Sequence, residues 1–410
     1  MNPPERPAPS STAVPHYLTL NAGSSSLKGA LYGTDLAGII LSGQVDRIGP
    51  DASMVLSAGP GPRLEMEHTD LRTHHAAFDA MITALRTHQP SLRLKAIAHR
   101  VVHGGARYAR PVIVDDRILA DLRALEPFAP LHQPHNLMGI HRAAQAFPGV
   151  PQIACFDTGF HQGHSQINDL FALPYRYYEQ GIRRYGFHGL SYEYIAGELK
   201  RVAPQRAGGR VLVAHLGHGA SMCAMRGGVS VASSMGFSAL DGLPMGTRCG
   251  QIDPGVLLYM MAHEHLAPER IRDILYTESG LLGLSEGLSS DMRTLEAADT
   301  EPARRAIAYF VDRVQREIGA LAATLGGIET LVFCGGIGEH SSSIRAQICE
   351  GLGWMGIQLV ADDNNAHHRV ISSPEARICV MVIPTHEEQV MVRAARRLVG
   401  GARDLDLDQK

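Results

Sequence analysis

The chain has 410 residues, with 38 lysines and arginines against 41 aspartates and glutamates, and a formal net charge of −3. This near-neutral balance argues against general binding of nucleic acid or anionic membranes, because such proteins usually carry a basic excess. Hydrophobic residues make up 45% and charged residues 19% of the chain, which is typical of a folded globular protein. The length predicts two or three domains. Glycine (43) and histidine (21) are both abundant.

The start of the chain and the cysteines indicate a cellular location. Residues 1–15 are rich in proline and serine and lack the apolar core of a secretion signal, so we expect a disordered lead-in. The six cysteines form no Cys-x-x-Cys pair, and most lie in apolar runs, as buried thiols of a reducing compartment do. No apolar run reaches the roughly 18–20 residues of a membrane span. We therefore expect a cytoplasmic protein.

The first predicted element is a hairpin. Strands are predicted over residues 17–21 and 27–32, joined by a turn of small residues over 22–26. The backbone N–H groups and hydroxyls of such a turn, with Lys28 close behind, suit phosphate oxygens. An ordinary Ser/Gly hairpin turn is an equally good interpretation of this segment alone.

The same arrangement recurs about half the chain later. Strands are predicted over 211–216 and 220–226, and Gly217-His218-Gly219 joins them. Repetition of one unit at half the chain length suggests two similar domains that face each other across a cleft. Such a cleft, floored by two glycine turns, suits the phosphate chain of a nucleotide.

A third glycine-rich segment follows a buried strand predicted over 330–334. We predict a turn over 335–339 and then a helix over 341–352, with Ser341, Ser342 or Ser343 as its N-cap. This geometry places backbone donors near an anion, but it matches neither the Walker A motif nor G-x-G-x-x-G. The other predicted elements are helices over 256–265, 271–277, 302–325 and 387–399 and strands over 97–102, 150–156 and 377–383. The pattern is α/β throughout.

Charged and polar residues stand beside glycines where several strands end. Arg100, Asp157, His188 and Arg248 are the members of this group. Each one alone is more often a surface loop residue, but ligands of α/β proteins bind beyond the carboxyl ends of strands. Arginines beside phosphate-type turns favour phosphoryl transfer, which needs cations against the phosphoryl oxygens and little covalent work from the protein.

A set of collinear motifs from Leu18 to about Leu398 resembles one family, the acetate kinases. The motifs are NAGSSSLK (21–28), HRVVHGG (99–105), FDTGFH (156–161), RRYGFHG (183–189), SMGF (234–237), GLPMGTR (242–248), SSDMR (289–293), GGIGE (335–339), and IPT (383–385) with EE (387–388). The resemblance implies the superfamily of acetate and sugar kinases, heat-shock chaperone ATPases and actin. The fold would be two duplicated actin-like (ribonuclease H-like) α/β domains with a catalytic cleft between them. We expect an N-terminal domain over 16–157 plus 386–410 and a nucleotide-binding domain over 158–385.

The resemblance also implies an activity. It predicts reversible transfer of the ATP γ-phosphoryl group to acetate with Mg²⁺, or Mn²⁺ in its place, by a homodimer. Arg100 and Arg248 would hold the carboxylate and the phosphoryl group, His188 would donate to that group in the transition state, and His132 would assist. Asp157 is the family's catalytic acid. We expect it to orient an arginine instead, because acetate is already ionised at neutral pH.

Further site residues follow from the same resemblance. Asn21 and Glu387 would place the metal, and Ser24, Ser26 and Lys28 would line the phosphate path. The acyl group would contact Val102, Leu131, Phe187 and Ala239. The nucleotide would contact His215, Leu216, Gly217, His218, Gly219, Asp291, Met292, Arg293, Gly336, Ile337, Gly338, Glu339 and His340. Ala239 replaces a usual proline, and we expect this smaller residue to admit propionate, since one methylene is worth about 1–3 kcal/mol.

Several positions depart from the family pattern. His218 and His340 replace asparagines in the nucleotide turns, which makes the preferred phosphoryl donor an open question. Gln133, Leu190, Tyr192, Gln251 and His386 replace the usual Asn, Thr, His, Asp and Asp/Asn, in that order. An imidazole gains charge near pH ~6.5, so we expect the KM for the nucleotide to depend on pH.

Three other interpretations are open at this stage. A different short-chain acid kinase, acting on propionate or butyrate, fits the motifs less well. An actin-like or chaperone-like ATPase with a protein partner would share the glycine turns but would not need Arg100, His188 and Arg248. A zinc site built from the histidines lacks the His-Glu-x-x-His helix.

Overall fold

A computed structural model describes residues 14–23, 25–36, 38–59, 63–66 and 71–400. Most of the predicted lead-in, and Ser24 of the first glycine turn, lie outside the described residues. The chain divides into two structural units. Unit 1 runs to Val101 and adds Arg110–Cys155 and the chain from Glu388 onward, whereas unit 2 comprises Val102–Ala109 and Phe156–Glu387. The predicted α/β class is confirmed.

Unit 1 is built on an 8-stranded sheet. Its strands are β1 (His16–Ala22), β2 (Ser26–Tyr32), β3 (Ile39–Asp46), β4 (Ser53–Ser57), β5 (Arg63–Met66), β6 (Leu94–Val101), β7 (Val112–Ile113) and β8 (Gln152–Phe156). Their order is β5-β4-β3-β2-β1-β6-β8-β7. Strands β1 to β5 form an antiparallel meander, and β6 pairs with β1 in parallel.

Helices cover the sheet of unit 1 with apolar side chains. They are α1 (His74–His88), α2 (Asp116–Arg123) and α3 (Gln133–Ala146), with a short 3₁₀ turn at Glu126–Phe128. Leu18 and Ile97 of the sheet are fully buried with Phe78, Met81 and Leu85 of α1. Alternating strand residues and the helical spacing of α1 supply one shared core.

Unit 2 is built on a 5-stranded sheet. Its strands are β9 (Arg210–Leu216), β10 (Ala220–Arg226), β11 (Val229–Ser233), β12 (Thr330–Cys334) and β13 (Cys379–Val382). The order β11-β10-β9-β12-β13 has the same pattern as β3-β2-β1-β6-β8 in unit 1. In both sheets an antiparallel hairpin leads the motif, and the next strand pairs in parallel with the first. The two predicted hairpins therefore occupy equivalent places in two similar sheets.

The helices of unit 2 differ widely in length. They are α4 (Gln166–Asp169), α5 (Arg176–Glu179), α6 (Gly189–Val202), α7 (Pro204–Ala207), α8 (Pro254–Ala262), α9 (Pro268–Asp273), α10 (Gly280–Leu284), α11 (Met292–Ala297), α12 (Glu301–Leu325), α13 (Gly335–His340), α14 (Ser342–Glu350) and α15 (Ala361–Asn365). The last helix, α16 (Glu387–Val399), begins at the final residue of unit 2 and otherwise belongs to unit 1. A π-helical turn lies at Ile274–Glu278, and 3₁₀ turns lie at Gly159–His161 and Gly353–Met355. No helix in the described part of the chain is long and apolar enough to cross a membrane.

The turn predicted over 335–339 is wrong. These residues form α13, which follows β12 directly. Gly335 adopts φ +75°, and a Cβ there would lie 2.8 Å from the Leu216 carbonyl oxygen, so the chain passes too close for a side chain. The Glu339 Oε1 accepts the Gly335 N–H at 2.8 Å and closes the helical turn. Ser341 is the N-cap of α14, as predicted, and its Oγ accepts the Ile344 N–H.

The cysteines are free thiols in the structure. Cys155, Cys223, Cys334, Cys349 and Cys379 are buried, and Cys249 is partly exposed. The prediction of scattered buried thiols thus holds for all but Cys249.

Candidate active site

Predicted site residues of unit 1 share one edge of its sheet. In the parallel pair of β1 and β6, Leu20 lies opposite His99, so the following residues, Asn21 and Arg100, reach the same edge. Asn21 also lies directly opposite Lys28 in the antiparallel pair of β1 and β2. Directly opposed residues of antiparallel strands point to the same face. Asn21 and Lys28 therefore project together.

The first glycine turn is held by its own backbone and by two helices. The Gly23 N–H donates to the Ser26 carbonyl at 2.8 Å. The Asn136 side chain donates to the Ala22 carbonyl at 2.7 Å, and His74 Nε2 donates to the Gly23 carbonyl at 3.0 Å. Sequence reasoning missed Asn136 and His74, because both are far from the turn in sequence and no local motif indicates that they contact it.

His132 and Leu131 stand just before α3. His132 is the residue that precedes the helix, and both side chains are partly exposed. Helix α3 packs on β1 and β6, and Asn136, one turn into the helix, contacts the end of β1. The start of α3 therefore lies at the edge that carries Asn21 and Arg100.

Predicted catalytic residues of unit 2 converge on the second glycine turn. A Cβ built on Gly219 would lie 2.8 Å from Arg248 Nη2 and 3.1 Å from His188 Nε2. A second nitrogen holds the Arg248 guanidinium in place, because Nη1 donates to the Ala239 carbonyl at 2.6 Å. The structure thus brings His188, Arg248, Gly219 and Ala239 together.

The segment that carries His188 is fixed by close backbone contacts. His188 precedes α6 with φ +56°, a conformation uncommon outside glycine. The Gly189 N–H donates to the Asp157 carbonyl at 2.9 Å, and a Cβ at Gly189 would lie 2.1 Å from that oxygen. Only glycine fits there, and its contact sets the Asp157 backbone beside His188. Both Asp157 and His188 are buried.

The His188 ring lies in a network of hydroxyls and a second imidazole. Its Nδ1 is 2.8 Å from Ser221 Oγ, which is 2.5 Å from Tyr192 Oη. The ring stacks on His215 with centroids 4.5 Å apart. His215 Nδ1 is in turn 2.8 Å from Ser191 Oγ. The sequence predicted His188 and His215, whereas Ser191 and Ser221 were missed.

The predicted acyl residues Val102, Phe187 and Ala239 are buried in unit 2. The His103 ring meets the Phe187 ring edge-on with centroids 5.6 Å apart. Burial lowers the pKa of His103 to about 4, so this imidazole is uncharged at neutral pH. His161 Nε2 donates to the Phe187 carbonyl at 2.9 Å. The surroundings of Phe187 are therefore apolar or neutral, which suits a short alkyl group.

Several residues predicted to contact the nucleotide lie at or just after the carboxyl ends of β9 and β12, which share one edge of the sheet with the end of the parallel strand β13. Glu339 Oε1 accepts the N–H groups of Gly335 at 2.8 Å and Thr385 at 3.1 Å. Thr385 Oγ1 is 2.8 Å from Ser191 Oγ. Glu339 was predicted as a nucleotide contact, and the structure also gives it the task of joining α13 to the segment after β13.

A fully buried arginine supports α13 from inside. Arg345 Nη1 donates to the carbonyls of Gly338 at 2.9 Å and Glu339 at 3.0 Å. Its Nε and Nη2 donate to the side chain and backbone of Asn364. Sequence reasoning missed Arg345, because nothing in the mixed polar and apolar sequence of α14 marks this arginine as buried.

His218 stands at the tip of the second turn and reaches solvent. Its carbonyl accepts the Gly246 N–H at 3.0 Å, and a Cβ at Gly246 would lie 2.4 Å from His218 Nδ1. Desolvation and the nearby Arg248 charge lower the pKa of His218, and Asp291 acts in the opposite direction. The imidazole therefore gains a proton at a lower pH than an ordinary histidine does.

The remaining residues predicted to contact the nucleotide lie at the start of α11 and in α13. Asp291 caps α11 by accepting the Arg293 N–H at 2.8 Å, and its carboxylate pairs with Arg293 Nη2 at 2.6 Å. The Arg293 guanidinium holds the pKa of Asp291 below its usual range. Asp291 and Arg293, together with Thr294 and Ala297, line an open depression of about 520 Å³. The other predicted members are the buried Met292 and, within α13, Gly336, Ile337, Gly338 and the exposed His340.

The residues predicted to place a metal supply oxygen ligands. Asn21 is the next-to-last residue of β1 in unit 1, and Glu387 is the last residue of unit 2 and the first of α16. The described residues contain no group of three or more His, Cys, Asp or Glu side chains that could hold a metal ion. Mg²⁺ does not need such a cage, because it is bound by one or two carboxylates together with substrate phosphates and water. The donor set fits that ion.

Comparison with known proteins decides the family, because the acetokinase family model matches residues 16–393. This chain belongs to the acetokinase family. An acetate kinase of Methylocella silvestris is 52% identical over 388 residues, which cover 92% of this chain and 96% of that protein. An acetate kinase of Rhodopseudomonas palustris is 49% identical and covers 94% of this chain and 99% of its own length.

Solved structures of the acetokinase family agree. A propionate kinase from Francisella tularensis superposes with a TM-score of 0.87 at 33% identity and covers 93% of this chain and 98% of its own. An acetate kinase from Porphyromonas gingivalis superposes with a TM-score of 0.83 at 33% identity, and the match covers 94% of this chain and 100% of that one. The resemblance in the motifs is thus confirmed. The chain is a phosphotransferase with a carboxyl group as acceptor, on the α/β fold of two similar sheets.

Proposed function

We propose that the chain catalyses reversible, Mg²⁺-dependent transfer of the γ-phosphoryl group of ATP to acetate, giving ADP and acetyl phosphate. The observation that carries the proposal is the convergence of His188 Nε2 and Arg248 Nη2 on Gly219. Phosphoryl transfer needs a cation and hydrogen-bond donors aimed at the oxygens of the transferring group. The second glycine turn has both beside it.

The acetate carboxylate is the nucleophile in this scheme. It is ionised at neutral pH and needs no general base. Arg100 and Arg248 hold the carboxylate and the transferring group, His188 donates a hydrogen bond to that group, and His132 assists. Asp157, buried beside His188, orients an arginine. Ser24, Ser26 and Lys28 line the phosphate path.

Asn21 and Glu387 would hold the divalent metal, Mg²⁺ or Mn²⁺. When bound, the metal would neutralise charge on the phosphate chain. We propose two domains with a catalytic cleft between them. The first comprises residues 16–157 plus 386–410, and the second comprises residues 158–385.

Propionate is proposed as a second acceptor. Ala239 is buried and offers only a methyl group where the family usually has a proline, and its carbonyl holds Arg248. One of the similar solved structures is a propionate kinase. A propionate kcat/KM more than about a hundredfold below that of acetate would exceed what one methylene explains and would contradict this proposal.

A homodimer is proposed from helix α8. The helix reads Pro-Gly-Val-Leu-Leu-Tyr-Met-Met-Ala, yet none of its residues is buried. Val256, Leu258, Tyr259 and Met261 are 43%, 64%, 55% and 40% exposed. Contiguous exposed apolar surface of this kind marks protein–protein contacts, and the commonest assembly is a twofold pair of identical chains. We also propose a cytoplasmic location, which the free thiols favour.

One assay tests the central proposal. Acyl phosphate is trapped with hydroxylamine after incubation with acetate, propionate or butyrate, and ATP, GTP and pyrophosphate are compared as donors. We expect acetyl phosphate with ATP, and its loss in Arg248→Ala while circular dichroism shows a folded protein. Arg304→Ala is the control, because Arg304 is an exposed arginine paired only at the surface with Asp299. Absence of acetate-dependent ATP consumption in the wild type would refute the proposal.

A further inference from the structure

Three buried polar groups of unit 2 form a linear chain that ends at the proposed phosphoryl contact. Tyr192 Oη lies 2.5 Å from Ser221 Oγ, and Ser221 Oγ lies 2.8 Å from His188 Nδ1. Tyr192 and Ser221 are both completely buried. Among the described residues, neither hydroxyl has another hydrogen-bond partner. The other ring nitrogen, His188 Nε2, lies beside the Gly219 turn.

Counting protons along this chain leaves one arrangement in which both hydroxyl protons have an acceptor. Tyr192 donates its proton to Ser221 Oγ, Ser221 donates its own proton to His188 Nδ1, and the imidazole proton is then on Nε2. If Nδ1 carried the proton, it would donate to Ser221, and the hydroxyl proton of either Ser221 or Tyr192 would have no acceptor. A buried donor without an acceptor is costly, so the second arrangement is disfavoured by roughly tenfold or more.

We propose that Ser221 and Tyr192 are positioning residues that hold His188 in the tautomer with its proton on Nε2. The proposal rests on the proposed role of His188 as a hydrogen-bond donor to the transferring phosphoryl group. Only Nε2–H can fill that role at the Gly219 turn, because the opposite tautomer would present a lone pair to negatively charged oxygens. Tyr192 stands where the family usually has a histidine. In this chain the group that donates to Ser221 is therefore a phenol hydroxyl.

The tautomer itself is the direct test and does not depend on activity. Neutron diffraction from crystals of the deuterated protein locates the deuterium on His188 and on both hydroxyls. We expect deuterium on Nε2, with the Ser221 hydroxyl directed at Nδ1 and the Tyr192 hydroxyl directed at Ser221. Deuterium on Nδ1 with none on Nε2 overturns the proposal.

Kinetics of variants give a second test. We expect Ser221→Ala to lower kcat about tenfold while the KM values for ATP and acetate change less than about twofold, since the contact matters mainly in the transition state. Tyr192→Phe should lower kcat less, and Ser221→Thr, which restores the hydroxyl on a strand, should recover most of the loss. Cys223→Ala is the matched control, because Cys223 is equally buried two residues along β10.

The outcomes separate two failures. If the wild type shows no acetate-dependent ATP consumption, the proposed function is wrong, and neutron diffraction still decides the tautomer. If the wild type is active but Ser221→Ala keeps its kcat, the positioning role is wrong. Should Ser221→Ala fail to fold, Tyr192→Phe removes a single oxygen, and an unchanged kcat in that variant rejects a role for Tyr192.

Discussion

At the scale of the residue, the absence of a side chain at Gly219 leaves room for Arg248 and His188, the groups proposed to act on the phosphoryl group. We predict that Gly219→Ala lowers kcat by about 10- to 100-fold, because small displacements of reacting groups are costly. The added Cβ would meet the ends of Arg248 and His188 at 2.8 and 3.1 Å. Both are tips of side chains, so they move aside and the fold is kept. Steady-state kinetics and thermal unfolding measure the two effects.

The matched control for this change is Gly197→Ala. Gly197 lies within α6, and apart from its chain neighbours and the adjacent helix backbone no described atom lies within 4 Å of the Cβ that alanine would add. Alanine is a better helix former than glycine by about 1 kcal/mol, so this variant should be slightly more stable and fully active. A Gly219→Ala enzyme with wild-type kcat would contradict the site geometry.

A second residue-scale prediction concerns the pH dependence of nucleotide binding. Desolvation and Arg248 lower the pKa of His218, so the imidazole gains its charge only at a pH below the usual range of histidine. The cation then attracts phosphates, and we expect the KM for ATP to fall on the acid side. His218→Asn should flatten this profile. If neither His218→Asn nor His340→Asn alters it, the idea is wrong.

Predicting site residues from the sequence is limited because the motif does not show to which face of the sheet each side chain points. His99 and Arg100 are neighbours on β6 and point to opposite faces. His99 is buried against Gln152 with its pKa lowered to about 4 by burial, while Arg100 reaches the site edge. The motif predicted Arg100, but the abundance of histidines has a structural explanation that no motif reveals. His161, with its pKa lowered to about 3 by burial, is another such neutral core histidine.

At the scale of the element, α13 depends on a buried guanidinium. We predict that Arg345→Met lowers the free energy of unfolding by about 3 kcal/mol or more, since it leaves the carbonyls of Gly338, Glu339 and Asn364 without their charged donor. Because α13 carries residues that we propose as nucleotide contacts, the KM for ATP should rise while the KM for acetate stays constant. Urea unfolding and steady-state kinetics provide the measurements.

Arg304→Met is the control at this scale. Arg304 is 61% exposed and pairs with Asp299, which is 97% exposed, and such surface pairs contribute about 0–1 kcal/mol. A loss of stability no greater for Arg345→Met than for Arg304→Met would show that α13 does not need its buried support.

Helices whose own sequence carries a helical pattern were predictable, whereas a helix that depends on contacts with distant residues was not. Helix α12 was expected over 302–325 from its apolar spacing, and it runs over Glu301–Leu325 with Thr300 as N-cap. Helix α13 has no such signal, because Gly335 and Gly336 favour a turn. It forms because Glu339 closes it and Arg345 holds its carbonyls, and both contacts need the folded surroundings.

At the scale of the whole molecule, duplication was visible in the sequence as two hairpins half a chain apart. The two sheets share a strand order, and each gathers its site residues at the carboxyl ends of its parallel strands. The connection between Ser191 and Thr385, 194 residues apart, had no sequence signal. Contacts between residues so far apart in the chain form only when β9, β12 and β13 are assembled. The motifs therefore predict candidate site residues but not the residues that hold them in place.

Assembly gives the last prediction. If α8 is the contact between two copies of the chain, its residues meet themselves or near neighbours across the twofold axis. Leu258→Glu would then place two like charges in an apolar contact, and both the burial of charge and their repulsion oppose association. We expect a dimer for the wild type and a monomer for Leu258→Glu in size-exclusion chromatography with light scattering. Ile113→Glu is the control, because Ile113 is also exposed (46%) but lies on β7 of unit 1. A dimer that survives Leu258→Glu, or is lost equally in Ile113→Glu, would rule out α8 as the contact.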